Sequence, residues 1–304
     1  MEDALYGIRI NFSEDSLLFL NLSLAFIMFG VALGIDTKNF KELLRNPKSV
    51  ITGVISQFLL LPALTFLLIW LFKPIQGLAL GMILVAACPG GNLSNFFSSV
   101  SKGNVALSIT LTAIASVLAT IMTPINFAFW SNLYLGDKLL VDVDIDTFKM
   151  MKLVFGLLVI PLILGLGFAA KFPDLTIKIS RPIKIVSFLL LIAIIVIAFL
   201  NNLDKFMEYY HYIIVLVFVH NLVALGSGYW LSKLFGNKEQ DNRTISIETG
   251  IQNSALGLVI IFTLFDGNGG MALITAWWGI WHIISGIIVS LIYSKGAIFQ
   301  VQKT

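Results

Sequence analysis

Residues 247–254 read IETGIQNS, and they place a single carboxylate, that of Glu248, inside a long apolar segment near the end of the chain. A carboxylate at the centre of a bilayer costs roughly 2.5–3.5 kcal/mol on insertion scales, so a proton, a basic side chain or a metal cation has to offset that cost. No predicted span supplies a Lys or Arg near mid-depth. A protonated Glu248 bonded to an amide is one solution, but the oxygens of Gln252 and Asn253 one turn away favour a bound cation.

The composition explains why this segment is interpreted as part of a membrane protein. Of the 304 residues, 58% are hydrophobic and 12% are charged, whereas about a quarter of the residues in soluble domains are charged. A soluble protein of this composition would lack polar surface, so we expect the chain to lie in a lipid bilayer. The net charge of +3 gives no indication of nucleic-acid binding, and the one cysteine, Cys88, excludes an intrachain disulfide and a cysteine-rich metal site.

Long apolar runs predict nine membrane-spanning helices, because about 20 mostly apolar residues are needed to cross a bilayer. The predicted spans are 17–35, 49–72, 76–100, 103–130, 149–170, 183–200, 211–232, 244–265 and 271–294. Cytoplasmic loops are enriched in Lys and Arg. With the N-terminus outside and the C-terminus in the cytoplasm, 14 of the 20 basic residues fall on the cytoplasmic side. The sequence therefore predicts an all-α, multi-pass protein of the plasma membrane or the bacterial inner membrane.

The third and eighth predicted spans are interrupted by polar and glycine-rich stretches. In the third, residues 87–95 read ACPGGNLSN, where Pro89 removes a backbone donor and two glycines loosen the helix. A packing kink explains a Pro-Gly pair alone, but the polar residues that follow, Asn92, Ser94 and Asn95, favour a bound ion or polar ligand. Interrupted helices at matching places in two inverted halves are typical of a transporter binding site.

Other polar side chains lie within the predicted spans. One helical face carries a hydroxyl at every fourth position, at Ser108, Thr112, Ser116 and Thr120. This row fits a packing seam and a set of cation ligands equally well. Because the candidate ligands are oxygens, sodium or a proton suits a single Glu better than calcium or a transition metal. No nucleophile–base pair is apparent, so the chain is not expected to be an enzyme or to have a catalytic residue.

The tryptophans of the last span are interpreted as an interfacial belt rather than as the lining of a cavity. They are Trp277, Trp278 and Trp281.

The interrupted motifs closely resemble those of the bile acid:sodium symporter family. The resemblance rests on three stretches, which read CPGGNLSN at 88–95, KGNVALS at 102–108 and ETGIQN at 248–253. Gln57 and His282 lie at comparable places, and the similarity covers nearly the whole chain. Bacterial members of known structure have ten helices, and this chain resembles the nine-helix animal carriers, which lack the first of them.

The resemblance implies one transmembrane domain over residues 1–304 that consists of a core and a panel. The core would comprise about 49–130 and 211–294, and its two broken helices would cross each other. The panel would comprise about 17–48 and 149–200.

The resemblance also implies two sodium sites and a substrate site. The first sodium site would consist of Ser94, Asn95, Ser108, Thr112 and Glu248. The second would consist of Gln57, Glu248 and Gln252 with the backbone carbonyls of Thr249 and Ile251. The substrate would be a small organic anion, such as a bile acid, pantoate or a related carboxylate. Its contacts would be Asn92, Asn253 and His282.

The function implied by this family is sodium-coupled symport of an organic anion by alternating access. Two sodium ions and one monovalent anion carry one net positive charge, so transport is expected to be electrogenic. The expected partners are Na+, the organic anion and the lipid bilayer, with no nucleic acid. A proton-coupled transporter, or a sodium–proton exchanger with Glu248 as the proton carrier, is the alternative.

Overall fold

The computed structural model describes residues 14–35, 47–136, 146–200 and 203–301, and the regular elements in these ranges are helices. The first six are α1 Glu14–Ala32, α2 Lys48–Ile55, α3 Leu61–Phe72, α4 Gln76–Ala87, α5 Leu93–Val100 and α6 Val105–Leu135. They are followed by α7 Thr147–Val154, α8 Ile160–Lys171, α9 Pro173–Leu200, α10 Leu203–Leu234, α11 Glu239–Gly250, α12 Ser254–Leu264 and α13 Gly269–Val301. A π-helical turn joins α2 to α3 at Ser56–Leu60, and another joins α7 to α8 at Phe155–Val159.

Several of these helices suit a bilayer. Among the described residues, five helical segments are long and apolar enough to cross a membrane: Lys48–Phe72, Val105–Leu135, Thr147–Lys171, Phe206–Leu234 and Gly269–Lys295. Large apolar side chains, such as those of Trp70, Ile177 and Leu234, are exposed on the outer surface, where lipid rather than water would be the favourable solvent. The chain is therefore an all-α, multi-pass membrane protein, while the count of nine spans and the orientation of the termini stay predictions.

Two helices begin earlier than the apolar runs predicted. Helix α9 begins at Pro173 rather than near residue 183, and α10 begins at Leu203 rather than near residue 211. The first turns of α9 carry charged side chains, including Lys178, so a search for apolar runs misses them although the backbone is helical. A long basic side chain can keep its charge in water while its stem lies on an apolar surface.

The non-helical residues between α4 and α5 pair with those between α11 and α12. The Gly91 N–H donates a hydrogen bond to the Ile251 carbonyl at 2.6 Å, and the Asn253 N–H donates to the Pro89 carbonyl at 2.9 Å. These bonds flank an isolated antiparallel bridge. Backbone polar groups at membrane depth have to be satisfied within the protein, so each interruption supplies partners for the other.

Two side-chain amides donate to backbone carbonyls of neighbouring elements. The Asn126 amide donates at 2.9 Å to the carbonyl of Phe58, which lies in the π-helical turn between α2 and α3. The Asn221 amide donates to the Gly250 carbonyl at 2.7 Å, at the end of α11. These bonds hold α6 against the π-helical turn and α10 against the end of α11.

Candidate ion and substrate site

The carboxylate of Glu248 is buried where α5, α6 and α11 meet. Its Oε1 accepts a hydrogen bond from the Thr112 hydroxyl at 2.8 Å, and its Oε2 accepts one from the Ser108 hydroxyl at 3.0 Å. The Ser94 hydroxyl also interacts with this carboxylate, although it lies outside hydrogen-bonding geometry. The Thr112 hydroxyl lies 3.4 Å from Asn95 Oδ1. The five side chains predicted for the first sodium site therefore lie together.

Gly90 provides the space behind this carboxylate. A Cβ atom at Gly90 would lie 2.6 Å from Glu248 Oε1 and 3.0 Å from Gln57 Nε2, so these two side chains approach the same backbone position. Gln57 lies in the π-helical turn between α2 and α3 and is 1% exposed. Neither its amide nitrogen nor its oxygen has a hydrogen-bond partner. Because buried polar groups are normally paired, the Gln57 amide is a candidate ligand for a polar guest.

The other members of the second predicted set lie at the end of α11. The Gln252 amide donates to the Thr249 carbonyl at 2.7 Å, while the buried Gln252 Oε1 has no partner. The Ile251 carbonyl already accepts the Gly91 N–H. A carbonyl oxygen has two lone pairs, so the Thr249 and Ile251 carbonyls each retain capacity for a cation. Gln252 pairs with Gly90 in the backbone bridge. Both predicted sets therefore lie around the point where the two non-helical stretches meet, which is called the crossing below.

The remaining hydroxyls of the α6 row make no hydrogen bond to Glu248. Ser116 donates to the carbonyl of Thr112 at 2.7 Å, and the buried Thr120 hydroxyl has no partner. Only part of this row of hydroxyls therefore lies at the candidate site: Ser108 and Thr112 contact the carboxylate, whereas Ser116 bonds to its own helix.

The three predicted substrate residues line one very small cavity, of about 10 Å³, at the crossing. The Asn253 side-chain oxygen caps α12 by accepting the Leu256 N–H at 3.0 Å. The Asn92 side-chain oxygen and both ring nitrogens of His282 are buried without a hydrogen-bond partner. A space of this size holds no more than one water molecule, so the substrate cannot lie wholly within it.

A much larger cavity, of about 550 Å³, adjoins this point between α1 and α9 on one side and α5 and α6 on the other. Asn92, Leu93 and Ile27 line both cavities. The large cavity is mostly apolar, and its polar lining includes Asn95 and Arg181. The arrangement thus places a mostly apolar cavity next to the polar crossing.

Several residues at the site had not been predicted to lie there. Gly90 lies directly against the carboxylate, and the Ser56 hydroxyl lies 2.8 Å from the Thr249 hydroxyl. The Pro-Gly-Gly sequence was a signal for Gly90, because a glycine beside a polar cluster often permits close approach. No sequence signal placed Arg181 beside the cavity.

The prediction that Trp278 belongs to an interfacial belt is wrong. This side chain is 1% exposed, and its ring packs edge-on against His220 with centroids 4.7 Å apart. The His220 Nε2 lies 2.7 Å from the Thr65 hydroxyl. Trp278 faces the interior because it fills the space between α10 and α13, where packing outweighs the interfacial preference of its ring.

Comparison with known proteins assigns this architecture to a family. The sodium bile acid symporter family matches residues 21–209. The sodium-dependent transporter YocS of Bacillus subtilis is 30% identical over 91% of this chain and 83% of its own length. The probable sodium/metabolite cotransporter BASS2 of rice, a chloroplastic protein, is 32% identical over 79% of this chain. The hepatic sodium/bile acid cotransporter of rat is 29% identical over 90% of this chain and 75% of its own length.

The chain spans 55% of the length of the rice relative, about half of it. These relatives are named as transporters and not as enzymes. The residues matched by the family, 21–209, include Gln57 and the first interruption, and the Bacillus relative extends the similarity over most of the remainder. The chain is a membrane transporter that belongs to the sodium bile acid symporter family.

Proposed function

We propose that this protein is an electrogenic symporter that carries an organic anion together with two sodium ions by alternating access. The observation that carries the proposal is the buried Glu248 carboxylate. It accepts two hydroxyl hydrogen bonds and has no ion pair with a basic side chain of the described ranges. Sodium-dependent uptake of radiolabelled carboxylates into proteoliposomes tests the proposal. Uptake that follows pH and ignores sodium would instead support the proton-coupled alternative.

The ligand chemistry supports sodium at both proposed sites. The first site would use the Glu248 carboxylate with the hydroxyls of Ser94, Ser108 and Thr112 and the oxygen of Asn95. These are the hard oxygen ligands that alkali and alkaline-earth cations prefer. With one carboxylate rather than several, the set suits a monovalent ion better than calcium.

The second site would use the groups that lie on the other side of Gly90. The unpaired oxygens of Gln57 and Gln252 are its neutral ligands, and the carbonyls of Thr249 and Ile251 complete the set. Glu248 would be shared by the two ions. The charges of two sodium ions, the Glu248 carboxylate and one monovalent anionic substrate then sum to zero within the site.

The packing of the helices supports a division into core and panel within nine spans. Helices α1, α8 and α9 pack on one another, while α10 packs on α11 and α13, and α13 packs on α4. Helix α7 packs against α6 and α12, whereas α8 packs against α1 and α9. The π-helical turn Phe155–Val159 lies between α7 and α8. Because these two helices pack against different neighbours, we place the boundary between core and panel at this turn.

The large cavity accounts for how the substrate would reach the crossing. It extends from Asn92 to Gly34, Val105 and Arg181, which belong to the side predicted to be cytoplasmic. The N-terminal ends of α5 and α12 would favour the anion, because a helix N-terminus carries partial positive charge. Sodium binding would join the two interruptions, and the panel would then move against the core to change the accessible side.

Transport is expected to generate an inward current. Two sodium ions and one monovalent anion move one net positive charge, and each such charge gains about 2.3 kcal/mol per 100 mV of membrane potential. Uptake into proteoliposomes should therefore rise when valinomycin and a potassium gradient make the interior negative. Equal uptake at zero and at negative potential would rule out this stoichiometry.

Replacing Gln57 by Leu is expected to remove one of the two sodium ions from the transport cycle. The substitution keeps most of the side-chain volume but removes the unpaired oxygen, so the Hill coefficient for sodium should fall from about two to about one. Sodium titrations of initial uptake rates measure this coefficient. The control is Thr120→Val, which removes a hydroxyl outside both proposed sites. A coefficient that stays near the wild-type value in Gln57→Leu would exclude Gln57 as a ligand.

A further inference from the structure

The large cavity between α1, α9, α5 and α6 is lined by one charged side chain, that of Arg181, among the residues that the structure describes. The other side chains on its wall are mostly apolar, including those of Ile27, Val31 and Ile109. The chamber thus combines an extensive apolar surface with one full positive charge. No role in sodium binding requires this charge, and a cation site would be weakened by it.

The position of Arg181 on α9 directs it to this chamber. Ile185, one turn later on the same helical face, also lines the cavity. Further along α9, the Ser187 hydroxyl lines the cavity, is 7% exposed and has no hydrogen-bond partner. Across the chamber, the buried Asn92 side-chain oxygen is also without a partner. The polar groups on both walls are therefore available to a ligand.

The guanidinium charge of Arg181 is not neutralised within the described part of the protein. The ion pairs found there are Lys149 with Asp146 and Arg243 with Glu239. A guanidinium is a planar fork of donors that matches a carboxylate with two parallel hydrogen bonds. An anionic group in the cavity is thus the partner that the chemistry of this side chain favours.

We propose that Arg181 determines the specificity of the cavity by binding the anionic group of an amphipathic substrate. The apolar body of the substrate would rest on the wall formed by α1 and α6. This inference rests on the proposed function and deepens it, because it adds an anion-binding residue on the α9 wall, apart from the helix ends at the crossing. Since Arg181 lies on the side predicted to be cytoplasmic, it raises the affinity for substrate that binds from the cytoplasm.

The first test compares an anion with its neutral ester. Binding of cholate and of cholate methyl ester to the purified protein is measured in neutral detergent with sodium present. Arg181→Gln is expected to weaken cholate binding about threefold to tenfold, in the range of one exposed charge-assisted hydrogen bond, and to leave the ester unaffected. Arg181→Lys should restore part of the affinity, because an ammonium keeps the charge but not the two parallel hydrogen bonds. Lys178→Gln is the matched control, because Lys178 is an exposed cation of the same helix outside the cavity lining.

The second test uses the sidedness of the site. The KM for cholate should rise in inside-out vesicles of Arg181→Gln and stay unchanged for uptake into whole cells. Equal losses for cholate and its ester, an effect equal to that of Lys178→Gln, or no cholate binding by the wild-type protein would each overturn the inference. So would a loss confined to vesicles with anionic lipid, which would assign Arg181 to lipid headgroups. Failure of the proposed function is seen separately, as transport by the wild-type protein that does not depend on sodium.

Discussion

Glu248→Gln is expected to abolish sodium-dependent transport while leaving the protein folded. The amide keeps the size of the side chain and can still pair with the hydroxyls of Ser108 and Thr112, which contact the carboxylate at 3.0 and 2.8 Å. It cannot neutralise a bound cation. Losing the charged member of a buried pair costs about 3 kcal/mol, which corresponds to roughly a hundredfold weaker binding. Initial rates of uptake at saturating substrate, with and without a sodium gradient, measure the effect.

The matched control for this change is Glu208→Gln. Glu208 is an exposed carboxylate on α10, so its replacement should leave the sodium dependence unchanged. Elution as a single species in detergent and an unchanged melting temperature would show that Glu248→Gln is folded. Full sodium-dependent uptake by folded Glu248→Gln would remove the physical basis of the proposed coupling. Uptake that loses its pH dependence in this variant, without a change in sodium dependence, would identify Glu248 as a proton carrier.

Gly90→Ala is the substitution with the second largest expected effect. The added Cβ would lie 2.6 Å from Glu248 Oε1 and 3.0 Å from Gln57 Nε2, and both distances are shorter than ordinary contacts. The carboxylate and the amide would have to separate, which displaces the ligands of both proposed sodium sites. Both atoms are ends of flexible side chains, so they can shift without unfolding the protein, but a lost ligand interaction of about 1–3 kcal/mol would lower sodium affinity between roughly fivefold and a hundredfold.

The sodium concentration for half-maximal uptake is the measurement that checks Gly90→Ala. Gly226→Ala is the control, because a Cβ at Gly226 in α10 would meet no atom within 4 Å, and its sodium dependence should match the wild type. Gly91→Ala is a less specific comparison, since its Cβ would approach the backbone carbonyl oxygen of Gln252 at 2.9 Å and would disturb the pairing of the interruptions. Wild-type sodium affinity in Gly90→Ala would show that the ion does not lie between Gln57 and Glu248.

The membrane class of the protein and the burial of the Glu248 carboxylate were predictable because both depend on local sequence. An apolar run of sufficient length has few folds available to it other than a membrane helix. A carboxylate within such a run needs a partner wherever it lies in the structure, so Glu248 could be selected before any contact was known. The two interrupted segments were recognisable for a similar reason, because Pro89 and its glycines cannot continue a regular helix.

The exact helix ends were less predictable, since the boundary of an apolar run is not the boundary of a helix. Helix α9 continues through Lys178 and Arg181 to Pro173, where the backbone remains helical although the side chains are charged. The buried position of Trp278 was also missed. An aromatic residue near the end of a span has the same sequence signal whether it faces lipid headgroups or the protein interior.

Local features of the sequence predicted that this chain lies in a membrane, that Glu248 needs a partner there, and that proline and glycine break two helices. The contacts between distant positions depend on the folded chain: the non-helical stretches pair with each other, Gly90 separates Gln57 from Glu248, and Arg181 lines an apolar cavity. The difference lies in the range of the interactions. Helix formation and the cost of burying a charge are set by neighbouring residues, whereas these contacts join positions that are far apart in the chain and depend on how the helices pack.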